Sequence, residues 1–355
     1  MKIGILTFQT TTNYGAALQC MALTQKMNLL GADCETIYYK CANIEKREIK
    51  DSIFANGLVK APVKILSNIQ NKKKKRVIDS FLKVNCKMSN EKYEKQNIIF
   101  ANEKYDKFVS GSDIIWEMNV TGGDYTYLLD FVKDDRKKFS YSSSFGYSSI
   151  PPKYKKETVD YLKKYELIST RENEGATIIK NELKISVPVT LDPTLLLSSK
   201  EWEIYEEKYK IEEEYIFLYF DDSEHIALNK AIELAKKYNC NVVYLNDSLK
   251  KTKHTRDIHN VSVGQFLWLI HHAKHVVTGS YHGVLFSINY NVPFYYYNRA
   301  HKSRIDTIID NLGITEKNLK NEKIVSEIFN WNDINDHLVS LRKQSIKYLK
   351  RIIEL

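Results

Sequence analysis

Lys2-Ile3-Gly4-Ile5-Leu6-Thr7-Phe8, then Gln9-Thr10-Thr11-Thr12, then Asn13-Tyr14-Gly15-Ala16-Ala17-Leu18-Gln19: the fold of this chain is decided by reading that stretch. A short apolar run reads as a strand, the polar stretch as a loop, and Asn13 as the N-cap of a helix. That helix carries Leu18, Met21, Ala22, Met27 and Leu30 at helical spacing and stops at Gly31. Residues 34–39 read as the next strand, and strand–helix–strand alternation favours a parallel, layered α/β arrangement. The same alternation continues with strands expected at 106–110, 138–143, 167–170 and 186–191, and helices at 153–164 and 172–183. Residues 42–100 are charged and largely helical in pattern, and read as an insertion or peripheral helical layer.

A second series begins near Glu214. Tyr215-Ile216-Phe217-Leu218-Tyr219-Phe220 has the character of a buried strand, followed by a helix over 224–238 and a strand over 241–245. A helix over 263–274, a strand over 275–278, a helix over 282–290, a strand over 293–297 and a helix over 302–312 complete it. Leu338, Leu341, Ile346, Leu349 and Ile353 give the tail helical spacing, and it is expected to return to the first domain. The fold class read from this order is α/β, with two Rossmann-like domains facing across a cleft. The expected domains are 1–205, with the insertion at about 42–100, and 206–330, with a C-terminal helix over 331–355.

At 355 residues the chain exceeds what one hydrophobic core ordinarily serves, which supports two domains. No apolar run reaches the ~18 residues of a membrane span, and the start reads as a strand rather than a signal peptide. A cytoplasmic location is the expectation. The five cysteines, Cys20, Cys34, Cys41, Cys86 and Cys240, are odd in number and scattered, so they suggest neither a disulfide framework nor a zinc site. Net charge is +9, part of it in Lys72-Lys73-Lys74-Lys75-Arg76 after the mixed stretch Leu58-Val59-Lys60-Ala61-Pro62-Val63-Lys64-Ile65-Leu66. That run suits peripheral docking to an anionic membrane, as at the inner face of a cell membrane; the plainer reading is a solvated helix face. No recognition motif accompanies the charge, so nucleic acid is not an expected partner.

In open α/β sheets ligands bind beyond the carboxyl ends of the strands, and five loops there are rich in small and polar residues. The first, Thr11 to Gln19, offers free amides at a helix start and a glycine that permits close approach. It is not G-x-G-x-x-G, so a dinucleotide is not indicated. Ser110-Gly111-Ser112-Asp113-Ile114-Ile115-Trp116 and Ser142-Ser143-Ser144-Phe145-Gly146 combine hydroxyls, a carboxylate and aromatic rings suited to a sugar, or equally form turns with core aromatics. In Ser169-Thr170-Arg171-Glu172-Asn173, Arg171 closes a strand and opens a helix, where it can clamp a carboxylate or phosphate, or else form an ion pair with a glutamate. The fifth loop is Thr278-Gly279-Ser280-Tyr281-His282-Gly283. All nine histidines lie at or after residue 225, and only His282 stands at a strand-to-helix turn between small residues. An imidazole there can bind phosphate or act as an acid. His271, His272 and His275 read as packing or dipole complements.

Taken together and in this order, the loops resemble the polysaccharide pyruvyl transferase family, whose segments have the forms N-Y/W-G-A-x-L-Q, G-S-D-x-x-W, S-F-G, S-x-R-E, D-P-T and S-x-H-G-x-x-F-S. Here they are Asn13 to Gln19, Gly111 to Trp116, Ser144 to Gly146, Ser169 to Glu172, Asp192 to Thr194 and Ser280 to Ser287, and the likeness spans roughly residues 1–312. Each segment is weak alone; six in order are specific. The resemblance implies a GT-B-like fold, phosphoenolpyruvate as donor and a glycan or lipid-linked sugar of a surface polysaccharide as acceptor. It also implies donor contacts from Arg171 and His282, with Ser280 and Gly283 beside them. Some members carry arginine before that histidine, as D-R-L-H; this chain has Tyr281, and Arg299 or Arg304 stands as the replacement anchor.

The chemistry asks for these groups independently. Phosphoenolpyruvate carries a carboxylate and a phosphate, so its pocket needs two cationic or N–H-rich anchors. Ketal formation needs protonation of the donor methylene, attack by one hydroxyl, loss of phosphate and attack by a second hydroxyl. His282 is the candidate acid or phosphate ligand, and Asp113 the candidate for activating the acceptor. Asn13, Tyr14, Gly15, Gln19, Ser112, Trp116 and Ser144 are the candidate acceptor contacts. The reaction requires no redox cofactor, and the sequence shows no metal-binding cluster. The alternative enzyme is a nucleotide-sugar-dependent GT-B glycosyltransferase, with His282, Arg299, Lys302 and Arg304 on the diphosphate. The alternative outside catalysis is a glycan- or membrane-binding scaffold.

Overall fold

The run Lys2–Leu6 forms β1, with Ile3, Ile5 and Leu6 wholly buried. Asn13 caps α1 (Tyr14–Leu29): its side-chain oxygen accepts the amides of Gly15 at 2.9 Å and Ala16 at 3.4 Å. Just beyond the helix, Gly31 takes φ +94°, a left-handed conformation that glycine adopts without steric cost. The chain then enters β2 (Asp33–Tyr39), parallel to β1. Gly4 leaves room for Ile37, whose side-chain end would lie 2.7 Å from a Cβ at that position. The computed structural model describes residues 1–9, 11–46, 61–222, 224–246, 251–298, 303–315, 317–321 and 328–355, with side chains from 69 on in the second of the helices below.

Two units emerge, Met1–Lys50 with Ile78–Leu196 and Val339–Leu355, and Asp51–Val77 with Leu197–Leu338. In the first, β3 (Met88–Tyr93), β4 (Lys107–Ser110) and β5 (Lys138–Ser140) complete an all-parallel sheet of order β3-β2-β1-β4-β5. Helices α2 (Ala61–Asn85), α3 (Pro152–Leu162) and α4 (Asn173–Leu183) follow β2 and β5 in the chain. One core joins Leu6, Ile37 and Phe108 to Leu162, Ile178 and Ile179; a second joins Ile3, Ile5, Val109 and Phe139 to Leu23 and Met27. The final helix α9 (Trp331–Glu354) adds Leu349 and Ile352 to that second core. The Lys107 ammonium donates to the Ile352 and Ile353 carbonyls, 2.9 Å each, placing a cation on the negative end of the helix.

The second unit repeats the plan. It contains β6 (Tyr215–Tyr219), α5 (Ile226–Tyr238), β7 (Asn241–Leu245), β8 (Arg256–Ile258) and α6 (Val263–His271). Then come β9 (His275–Thr278), α7 (Tyr281–Asn289), β10 (Phe294–Tyr296) and α8 (Ser303–Asn311). Its parallel sheet runs β10-β9-β6-β7-β8. Both sheets therefore have the doubly wound order 3-2-1-4-5, and the chain is α/β with two Rossmann-like domains. The order reverses between β1 and β4 in one unit and between β6 and β9 in the other.

Three local expectations are corrected. Residues 88–93 belong to an edge strand, not to a helical insertion; Asn90, Glu91 and Lys92 are exposed, and charge suits an edge. The expected strands at 167–170 and 186–191 reduce to single bridges, Phe139 with Leu167, Ser143 with Thr170, and Thr170 with Val189. Side-chain hydroxyls take ladder partners there: Ser140 Oγ accepts from the Ser169 amide at 3.0 Å, and Ser169 Oγ from the Ser142 amide at 2.9 Å. Strand β8 gave no signal, having one buried residue, Ile258. In the basic run, Lys72, Lys73 and Arg76 are exposed but Lys74 is buried, so the run is not one solvated face. The stretch 58–66 before it lies outside the described residues or their side chains. Among the described residues no helix is long and apolar enough to cross a membrane.

Candidate functional site

Where the first sheet reverses its order, the chain concentrates polar groups that sequence alone leaves unconnected. Thr7, at the end of β1, donates its hydroxyl to the Ser112 carbonyl at 2.7 Å, tying the loop after β1 to the loop after β4. Asp113 follows at φ +77° and Ser142, after β5, at φ +51°. Left-handed conformations in residues other than glycine cost about 1–3 kcal/mol and gather at functional sites. Neither is signalled by composition.

Arg171 lies at the centre of this cluster with its side chain wholly buried. Its guanidinium is 3.1 Å from the Asp192 carboxylate, 3.6 Å from Asp113 and 3.8 Å from Glu172. Ser112 Oγ donates to Asp192 at 3.2 Å, and both the amide and the hydroxyl of Thr194 donate to its other oxygen, at 3.0 and 2.8 Å. Ser144 Oγ donates to Glu172 at 2.9 Å. Three carboxylates around one guanidinium leave the cluster formally at −2 if all are ionised. Asp192, Asp113 and Glu172 thus surround the guanidinium that the sequence reading assigned to the donor. The same contacts fix Asp113 and Asp192. Asp113 is the most open of the three, its side chain 10% exposed against 3% for Glu172 and none for Asp192. Its Oδ1 accepts the Ile114 amide at 2.8 Å.

Most of the expected acceptor contacts are buried. Trp116 is wholly buried, its ring N–H donating to Ser110 Oγ at 3.0 Å and its ring 5.0 Å from Phe145, so it packs the core and offers no face to a sugar. Gln19 is wholly buried and donates to Thr7 Oγ1 and the Ala16 carbonyl, 2.9 Å each, which braces the loop. Tyr14, Gly15, Ser112 and Ser144 are buried as well, the two serines with their hydroxyls committed to Asp192 and Glu172; Asn13 is exposed, and its oxygen is spent on the cap. Asp192 and Glu172 were missed as site residues. The D-P-T and R-E segments contained them, but nothing local shows that they converge on Arg171.

In the second unit, β9 ends at Thr278, and Gly279 leads into α7. A Cβ at Gly279 would lie 2.3 Å from the Tyr297 ring, so only glycine lets the strand end pass that ring. Ser280 caps α7, accepting the Gly283 amide at 3.2 Å. His282 is buried in the first turn, its ring 5.2 Å from that of Tyr281. The Arg304 guanidinium lies over the Tyr281 ring at 5.6 Å, a cation–π contact. A guanidinium is thus held beside the His282 turn. Phe220, after β6, also takes a positive φ, +61°. Arg299 and Lys302 lie outside the described residues.

Away from these loops, Glu206, His271 and His272 place one ligand atom each within 4.8 Å, a group that could hold a metal. Each has a partner within the protein: His271 Nδ1 is 2.8 Å from Glu206 and its ring stacks on Tyr290 at 4.2 Å, while His272 stacks on Trp268 at 4.5 Å.

Among solved structures, the chain resembles UDP-GlcNAc 2-epimerase from Methanocaldococcus jannaschii at 13% identity, over 96% of this chain and 92% of that one, with TM-score 0.50. A putative UDP-N-acetylglucosamine 2-epimerase from Listeria monocytogenes matches at 12% identity over 97% and 90%, also with TM-score 0.50. The glycosyltransferase SsfS6 from Streptomyces sp. SF2575 matches at 10% identity over 100% of both chains, with TM-score 0.49. At such identities the two epimerase likenesses speak to fold alone. No curated protein matches the sequence. The family model for polysaccharide pyruvyl transferase matches residues 13–301, a span that holds Asn13 and the α1 cap, the Arg171 cluster and the His282 turn, and the chain belongs to that family.

Proposed function

We propose that this protein moves pyruvate from phosphoenolpyruvate onto a sugar of a surface polysaccharide or its precursor, closing a cyclic ketal. The observation that carries the reading is the family match joined to the second-unit loop, where His282 in the first turn of α7 adjoins Tyr281 beneath Arg304. A helix start and a guanidinium favour an anion, and an imidazole supplies a proton that a carboxylate does not carry at neutral pH.

In this mechanism Ser280, His282, Gly283, Arg299 and Arg304 form the donor side. His282 protonates the methylene carbon, and the positive charge that develops on the central carbon is met by one sugar hydroxyl. Asp113 takes the proton from that hydroxyl. Asp113 passes that proton to the phosphate, which departs with its bonding electron pair; a second hydroxyl then attacks the same carbon, and Asp113, ionised again, takes its proton. The products are the ketal and inorganic phosphate. Arg171 acts at one remove, holding Asp113 in its left-handed turn as a positioning residue.

Incubation with phosphoenolpyruvate and a panel of soluble and lipid-linked glycans tests the reading. Glycan-dependent phosphate release, lost in His282→Ala, is the expected result. Turnover of a sugar nucleotide, with phosphoenolpyruvate inert across the panel, would overturn it in favour of glycosyl transfer.

A further inference from the structure

The first unit has a cleft at the carboxyl ends of β2 and β3 to which nothing above gives a role. Its volume is about 440 Å³, within the range of small-ligand sites. Lys40, Asn43, Glu45, Glu94, Gln96 and Asp124 line it. Part of the wall is fixed in advance: Asp124 accepts from the Tyr39 hydroxyl at 2.5 Å and the Thr126 amide at 3.1 Å, with the Lys95 ammonium 3.5 Å away. Asn43 donates to the Val120 carbonyl at 3.0 Å. It also packs against Gly122, where φ is +72° and a Cβ would fall 2.5 Å from the Asn43 side chain.

The lining selects a ligand class. Lys40 and Lys95 against Glu45, Glu94 and Asp124 leave a formal −1, which disfavours a polyanion. Tyr39, Cys41 and Thr121 are buried, so none of them anchors a large hydrophobic ligand. Among the described residues the carboxylates here do not converge as metal ligands do. Carboxylates and side-chain amides in a cleft that also exposes apolar surface suit a neutral ligand with both hydroxyls and apolar faces, as a sugar has.

Position then ties the cleft to the acceptor loops. In this sheet β2 is next to β1 and β3 next to β2, while β4, which leads to Asp113, lies on the other side of β1, so the ends of β2 and β3 lie roughly 10 and 15 Å from that of β4, about the reach of one or two further sugar rings. Gln9, in the loop after β1, donates to the Tyr39 carbonyl at 2.7 Å, giving the two places a common wall.

We propose that this cleft is a second sugar subsite, holding the residue next to the one that is modified, so that the acceptor is an oligosaccharide and not a single sugar. The inference rests on reading the first unit as the acceptor side.

The test uses the full chain and gluco-, galacto- and manno-oligosaccharides of increasing length. Binding is followed by saturation-transfer NMR without phosphoenolpyruvate, and KM is then measured for glycan and donor separately. Binding should strengthen by about tenfold on going from one sugar to two, the scale of one or two hydrogen bonds. That step should vanish in Asn43→Ala, with donor KM unchanged. Because Asn43 also bonds to Val120, the exposed pair Glu94→Gln and Gln96→Ala serves as the second variant and should lose the same step. A length step that survives both variants, or no length dependence and no binding in the unaltered protein, overturns the inference. If no glycan is pyruvylated, the proposed reaction fails, while the binding series still decides the subsite.

Discussion

Replacing Arg171 with methionine separates a buried structural cation from an anion clamp. The substitution keeps the length of the stem and removes the charge, taking the cluster of Asp113, Glu172 and Asp192 from a formal −2 to −3 with the side chain at 171 wholly enclosed. Breaking a buried pair by deleting one partner costs about 3–5 kcal/mol, a large part of the 5–15 kcal/mol typical of a domain. At about 1.4 kcal/mol per tenfold, the most protected amides of β4 and β5 should exchange with solvent roughly 10²- to 3 × 10³-fold faster. Those of β6 and β9, in the other unit, should stay within about threefold, because local stability is read unit by unit. Hydrogen exchange followed by mass spectrometry, comparing the two units within one sample, reads the effect. Unchanged protection in the first unit, combined with a large rise in KM for phosphoenolpyruvate, would refute the structural account and restore Arg171 as a donor contact.

Three further outcomes are expected. His282→Gln should lower kcat by about 10²–10⁴, the usual contribution of a positioned acid, with no change in thermal stability; an equal fall in His282→Gln and in a surface control would assign the loss elsewhere. Gly279→Ala drives a methyl into the Tyr297 ring, 2.3 Å away, and should cost about 1–3 kcal/mol, with faster exchange at the start of α7; pairing it with Tyr297→Ala should return part of the loss. With Ellman's reagent at mildly alkaline pH, Cys240 should react first, since Cys20, Cys34, Cys41 and Cys86 are buried and burial pushes the Cys41 thiol up to about 11. Several thiols reacting at one rate in the native protein would contradict that burial.

Much of the fold was legible because its signals are local. Asn13 and Gly31 bracket α1, the six-residue run from Tyr215 gives β6, and His275–Thr278 is bounded by turns on both sides. What escaped depends on neighbours. Residues 88–93 look helical until β2 lies beside them, and 167–170 look like a strand until Ser140 and Ser169 take over the ladder bonds. The site divides the same way. His282 between small residues at a strand end was visible as a candidate, whereas the ring of Asp113, Glu172 and Asp192 around Arg171 joins residues up to 79 positions apart and exists only once β4, β5 and the segments after them are aligned. Trp116 shows the opposite error: a loop aromatic resembles a sugar platform until its N–H is seen to be bound to Ser110 within the core.

The central claim is that carbon passes from phosphoenolpyruvate to a sugar as a ketal. Phosphoenolpyruvate labelled with ¹³C at its central carbon, incubated with the full chain and an accepted glycan, reads this directly by NMR. The account predicts that the enol-carbon signal falls as a ketal-carbon signal attached to the glycan rises, together with an equal amount of inorganic phosphate, and that His282→Ala abolishes both. Label that stays in phosphoenolpyruvate, or emerges only as free pyruvate while the glycan gains a sugar from a nucleotide donor, would contradict it.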